Sequence, residues 1–155
     1  MCGISGIINF NAEPVDRKAV ANMTRLVNHR GPDGSGFYFK KNVGFGHRLL
    51  SITGCENPTQ QPITDAGENY VLVFNGQVYN YKELAQELAT KGYQFKTVSD
   101  TEVLLKAYME WGDSVNERLN GMWAFVVADF ARNKLFISRD RFGQKPLYYT
   151  VHHNR

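Results

Sequence analysis

Met1-Cys2-Gly3-Ile4-Ser5-Gly6-Ile7-Ile8-Asn9-Phe10 opens the chain, and the reading of the fold starts there. Ile4, Ile7, Ile8 and Phe10 make the segment from Gly3 to Phe10 read as a buried strand. The residue in front of that strand is Cys2. A small second residue lets aminopeptidases remove Met1, after which Cys2 holds a thiol and a free α-amino group on one residue. A neutral α-amine, with a reference pKa near 8, can take the thiol proton directly or through one water. Such a nucleophile needs no separate histidine, and the four His of the chain show no pairing with one. The plainer reading is a small buried cysteine at the start of a strand.

Outward from this strand, Pro14 opens a helix with Val20, Met23, Leu26 and Val27 at helical spacing. Arg30-Gly31-Pro32-Asp33-Gly34 reads as a rigid turn that ends it. Short strands follow at Gly36–Phe39 and Val43–Ser51, then a polar loop from Gly54 to Gly67. Tyr70–Phe74 reads as a strand running into Asn75-Gly76. Tyr81–Leu88 is helical, with Gly92 as its stop. Ser99-Asp100-Thr101-Glu102 matches a capping box. It opens a helix with Val103, Leu104, Ala107, Tyr108 and Trp111 on one face. Met122–Asp129 and Lys134–Ser138 pair as a hairpin across Ala131–Asn133, and Leu147–Val151 reads as a last strand behind Pro146. Strands and helices mixed within one domain imply α/β or α+β.

A length of 155 residues suits one domain with a real core. Ten Phe, eight Tyr and two Trp argue against disorder. The net charge of +3 is small and its cations are scattered, so no nucleic-acid footprint is visible. No apolar run approaches the roughly 20 residues of a membrane span, and the N-terminus lacks a secretory signal. A cytoplasmic location, with no nucleic acid and no membrane as partner, is the expectation. Cys2 and Cys55 make no disulfide framework, no Cys/His cluster has zinc spacing, and there is no P-loop or dinucleotide fingerprint.

Two further stretches can carry chemistry. Attack on an amide builds negative charge on its carbonyl oxygen, and the Asn75 side chain and the Gly76 N–H can both donate to it. Asn-Gly is equally the commonest two-residue hairpin turn. Asp100 can accept from a substrate ammonium, or it can simply stabilise the start of its helix.

Taken in order, Cys2-Gly3-Ile4, His29-Arg30-Gly31-Pro32-Asp33, Gly46-His47, Leu50-Ser51-Ile52, Gln61-Pro62, Asn75-Gly76 with Tyr79-Asn80, Ser99-Asp100-Thr101-Glu102-Val103, Gly121-Met122, and Arg139-Asp140-Arg141-Phe142-Gly143 with Lys145-Pro146-Leu147-Tyr148 resemble the class II, N-terminal-nucleophile glutamine amidotransferase domain. The similarity is greatest to the N-terminal domain of glutamine-hydrolysing asparagine synthetases. The resemblance implies an α+β fold, a four-layer αββα sandwich. It implies Cys2 as the nucleophile that forms a γ-glutamyl thioester and releases ammonia, with Asn75 and Gly76 as the oxyanion hole. Asp100 is the carboxylate on the substrate α-ammonium, and Ile52 lies in the same substrate-binding set. Residues 1–155 then form a type 2 amidotransferase domain without its C-terminal end and without a synthetase domain. No cofactor is expected here. ATP and magnesium belong to the absent synthetase domain or subunit, the partner that uses the ammonia.

Two departures from the family pattern concern glutamine itself. The pattern Gly-His-x-Arg-Leu-Ser-Ile carries an Arg that pairs with the glutamine α-carboxylate, whereas this chain reads Gly46-His47-Arg48-Leu49-Leu50-Ser51-Ile52. Leu49 stands at the Arg position. Arg48 is one residue off, and strand neighbours face opposite sides, so it serves only if the strand bulges or the side chain wraps round. Gln77 replaces a Glu that helps hold the α-ammonium. The alternatives to glutamine hydrolysis are the same chemistry on another amide, or a catalytically impaired scaffold.

Overall fold

The structure, a computed structural model, describes residues 1–51, 60–97 and 99–152. Ile52 and Cys55 lie outside the described residues. In chain order the elements are β1 (Gly3–Ile8), α1 (Arg17–Leu26), a 3-10 turn (Asn28–Arg30), β2 (Gly34–Lys40), β3 (Val43–Leu49), β4 (Ile63–Thr64), β5 (Tyr70–Val78), α2 (Tyr81–Thr90), α3 (Asp100–Trp111), α4 (Val115–Arg118), β6 (Gly121–Asp129) and β7 (Lys134–Arg139). Two antiparallel sheets result, with orders β1-β3-β2 and β4-β5-β6-β7.

The layers follow from strand alternation. Val43 and Phe45 of β3 pack on Val71 and Val73 of β5, with Ile4 and Ile8 of β1 beside them, so these residues fill the space between the sheets. The opposite face of β5, with Leu72, Phe74 and Val78, packs on Leu84 and Leu88 of α2 and on Val103, Leu104, Ala107 and Tyr108 of α3. The outer face of β3 carries Gly44 and Gly46 under α1; a Cβ on Gly46 would lie 1.9 Å from Thr24 Oγ1. The order is α1, small sheet, large sheet, α2 with α3: the expected αββα sandwich.

Four expectations need correction. The first strand ends at Ile8, and Phe10 is 61% exposed. Helix α1 starts at Arg17 under an Asp16 cap rather than at Pro14, and it buries Val20 and Thr24, leaving Met23 and Leu26 outside. The polar Thr24 belongs on the inner face because its hydroxyl bonds Ser5 Oγ (2.8 Å) and the Val20 carbonyl (2.7 Å). The stretch from Gly54 to Gly67 is not all loop, since Ile63 and Thr64 pair with Leu72 and Val71. Residues 147–151 form no strand: no described residue pairs with them, and Tyr148 and Tyr149 are exposed.

The Ser99 side chain caps the helix as the capping box expects. Ser99 Oγ accepts from the Glu102 N–H at 3.2 Å. The Glu102 carboxylate reaches past the cap to the N–H groups of Lys96 and Thr97, the Thr97 hydroxyl and the Lys106 ammonium. Burial alone raises the pKa of Glu102, but these donors outweigh it and pull it down to about 2. A depressed carboxylate stabilises the fold above its unfolded pKa and loses that contribution as pH falls. Wild type is therefore expected to lose about 3 kcal/mol relative to Glu102→Gln between roughly pH 4.5 and pH 2. Urea unfolding of both proteins across that window measures the difference, and a pH-independent gap would refute it.

Candidate active site

The turn from Asn28 to Asp33 ties three site segments together. Arg30 Nε donates to the Cys2 carbonyl at 3.2 Å. Asp33 N–H donates to the Leu49 carbonyl at 3.0 Å, and Asp33 Oδ2 accepts from Ser51 N–H at 2.7 Å. Gly31 lies so close to the end of β3 that a Cβ there would be 2.5 Å from the Arg48 carbonyl. What reads locally as a rigid turn is a clasp that fixes the chain start against the end of β3.

Register then sets which side chains share a face. Gly3 pairs with Arg48 and Ile4 with His47. Cys2, on the alternation of Ile4, comes out on the inter-sheet side next to Leu49. On β5, Asn75 and Gln77 follow Val71 and Val73 onto the same side, and β1 passes over β5. Strand alternation thus turns Cys2, Leu49, Asn75 and Gln77 toward the space between the sheets, with Cys2 half-buried, Asn75 buried and Gln77 exposed.

Asn75-Gly76 is not a turn. Strand β5 continues through it to Val78, paired residue by residue with β6. The consequence is chemical. Phe74 N–H donates to Gln61 Oε1 at 2.7 Å and Val78 N–H donates to Asp100 Oδ2 at 3.1 Å, both on the edge of β5 away from β6. By the alternation of strand N–H groups, Gly76 N–H emerges on that same edge between them. The Asn75 amide, only 3% exposed as a residue, bonds to no other described residue. An amide with no partner among the described residues keeps its donor free.

Gly76 itself is dictated by space. A Cβ would lie 2.2 Å from the Met122 carbonyl oxygen and 2.8 Å from Trp123 Cα. Gly76→Ala is expected to destabilise the fold by about 2–3 kcal/mol, because backbone on β6 cannot yield as a flexible side chain can. Chemical denaturation checks this, and an unchanged midpoint would contradict it.

Asp100 closes the same edge at the start of α3. Burial raises its pKa, against the Val78 N–H and the Thr101 donors. His47, buried opposite Ile4, is held at a pKa of about 4 by burial, a backbone contact with Phe74 opposing and the Arg48 charge adding to the shift; it is neutral near pH 7.

Arg48 does not join the group. Its strand is regularly paired on both sides, so there is no bulge. Its side chain falls on the α1 face, where Nε donates to the Gly31 carbonyl at 2.9 Å and Nη2 donates to Asn28 Oδ1. In this structure the Arg48 side chain points away from the face that Leu49 shares with Cys2. The roles of Gln61 as edge cap, of Arg30 as tether and of Lys145 beside the N-terminus were not legible beforehand; these residues stood out only as pieces of motifs.

Among solved structures, the allosteric regulatory enzyme of purine biosynthesis superposes with a TM-score of 0.75 at 22% identity, over 94% of this chain and 38% of that one. Glutamine phosphoribosylpyrophosphate amidotransferase from B. subtilis superposes with a TM-score of 0.69, also at 22% identity and over the same shares. These likenesses place the chain in that fold. The chain belongs to the glutamine amidotransferase domain family, which it matches over residues 1–155. Asparagine synthetase [glutamine-hydrolyzing] 1 of Bacillus subtilis (strain 168) is 44% identical over 156 residues, 97% of this chain and 24% of the relative. Asparagine synthetase B [glutamine-hydrolyzing] of Escherichia coli (strain K12) is 39% identical over 149 residues, 96% of this chain and 26% of the relative. The chain thus spans about a quarter of the length of these relatives.

Proposed function

We propose that this domain hydrolyses the side-chain amide of glutamine to glutamate and ammonia, and that a synthetase domain or subunit consumes the ammonia. The observation that carries the reading is the pair of donors that β5 presents, the Asn75 amide without a described partner and the Gly76 N–H on the edge away from β6. In the Met-processed chain the Cys2 α-amino nitrogen takes the thiol proton, and Sγ attacks the amide carbon. The oxyanion sits on Asn75 Nδ2 and Gly76 N–H. Collapse breaks the C–N bond as the α-ammonium returns its proton to the leaving nitrogen, giving ammonia and a thioester. Water, deprotonated by the same amine, attacks the thioester and releases glutamate with the thiol restored. Asp100 receives the substrate α-ammonium. ATP and magnesium chemistry is assigned to the synthetase partner. No helix among the described residues is long and apolar enough to cross a membrane.

The test is ammonia and glutamate release from L-glutamine by the Met-processed protein, followed in equal amounts. Absence of release would end the reading. Leu49 beside Cys2, with Arg48 turned outward, favours a second reading: the same chemistry on an amide without a free α-carboxylate.

A further inference from the structure

Lys145 is 6% exposed, yet the acceptor that its ammonium meets among the described residues is the thioether of Met1, at 2.9 Å. A thioether is a weak acceptor, and a buried cation without an anion is costly. The rest of the residue is firmly held. Its N–H donates to Asp140 Oδ2 at 3.0 Å and its carbonyl accepts from Arg139 Nε at 2.6 Å. Asp140 in turn accepts from the N–H groups of Trp123, Phe142 and Gln144, so its carboxylate is engaged by backbone. The loop from Arg139 to Lys145 therefore sets a buried ammonium against the first residue of the chain.

Met1 is the residue that processing removes. Once Met1, the chain neighbour of Cys2, leaves, the ammonium loses its one described acceptor. The other cations nearby are committed. Arg48 is bound on the α1 face, and Arg30 is fixed through Nε to the Cys2 carbonyl, although its buried Nη2 has no partner among the described residues. Leu49, next to Cys2, is apolar.

We infer that Lys145 is a carboxylate subsite: in the processed protein its ammonium holds the α-carboxylate of the bound amide, the contact that neither Leu49 nor Arg48 makes. The inference rests on the reading of the domain as a glutaminase. It gives the substrate zwitterion two anchors from different elements, Asp100 at the start of α3 for the ammonium and Lys145 in the loop after β7 for the carboxylate. It also answers the second reading above, because an amide with a free carboxylate then keeps a cationic partner.

The experiment is calorimetric binding to the Met-processed Cys2→Ala protein, which cannot turn over, with and without Lys145→Met. The ligands are L-glutamine and its α-carboxamide, which differ in the carboxylate. Lys145→Met is expected to weaken glutamine at least about 30-fold and to leave the α-amide within about twofold, while Lys145→Arg keeps the preference for glutamine. Equal weakening of both ligands, no weakening, or no preference for glutamine before the substitution overturns the inference. So does a Lys145→Met enzyme with unchanged KM, lowered kcat and a displaced acid limb in its pH profile, since Lys145 would then act on the α-amino group. Failure of the glutaminase reading shows separately, as absence of Cys2-dependent ammonia release by the wild-type protein.

Discussion

Cys2→Ala is expected to lower glutamine-dependent ammonia release by about 10⁴-fold or more while leaving the fold intact. The size follows from the role. When the covalent nucleophile is removed, what remains is binding and oxyanion stabilisation around a distant water, and rate losses of several orders of magnitude result. The intact fold follows from the environment. Cys2 precedes β1, is half-buried, and contributes its carbonyl to Arg30, a bond that alanine keeps. The change in stability should stay within about 1 kcal/mol. A protein that retains Met1 is the companion control, because the thiol survives but the α-nitrogen is an amide with no basic lone pair. Both forms should be inactive and natively folded by circular dichroism. Full activity with Met1 retained, confirmed by mass, would remove the α-amine from the mechanism. Unfolding of Cys2→Ala would assign Cys2 a structural role.

Asn75→Ala is expected to lower kcat by about 10²–10³-fold, corresponding to about 2.7–4 kcal/mol of barrier, with KM changed little. The Asn75 amide bonds no described residue, so its loss breaks no described hydrogen bond and the melting temperature should hold within a few degrees. The effect falls on kcat because a tetrahedral oxyanion takes more from the donor than a ground-state carbonyl does. Asn75→Asp, nearly isosteric, should be at least as damaging, since its carboxylate repels the oxyanion. A variant with raised KM and normal kcat would show that Asn75 holds the substrate rather than the transition state.

Much of the architecture was legible residue by residue. The Ile-rich first strand, the Ser99 cap, the Gly92 stop and the hairpin across Ala131–Asn133 are local signals, set by the periodicity and backbone preferences of adjacent residues. Gly92 takes the positive φ of 94° that a helix stop asks of a glycine. The signals that misled were local as well. Asn-Gly is a good turn in isolation, but β6 offers a partner for every residue of β5 out to Val78, and pairing prevails. Residues 147–151 have strand composition and no strand to pair with. Thr24 is polar by composition and belongs to the inner face of α1, since two hydrogen bonds there satisfy its hydroxyl.

The site divides the same way. The sequence alone shows that Cys2 can carry a nucleophile and its base on one residue and that Asp100 stands at a helix start, whereas their assignment to a site came from the family resemblance. Tertiary structure decided what these groups face. Whether Arg48 or Leu49 looks toward Cys2 depends on a register with no bulge. Whether Gly76 N–H is free depends on which edge of β5 is covered. Whether Lys145 is a surface cation or a buried one beside residue 1 depends on a loop more than a hundred residues away. Orientation across layers is a property of long-range pairing and packing, which a single strand cannot specify by itself.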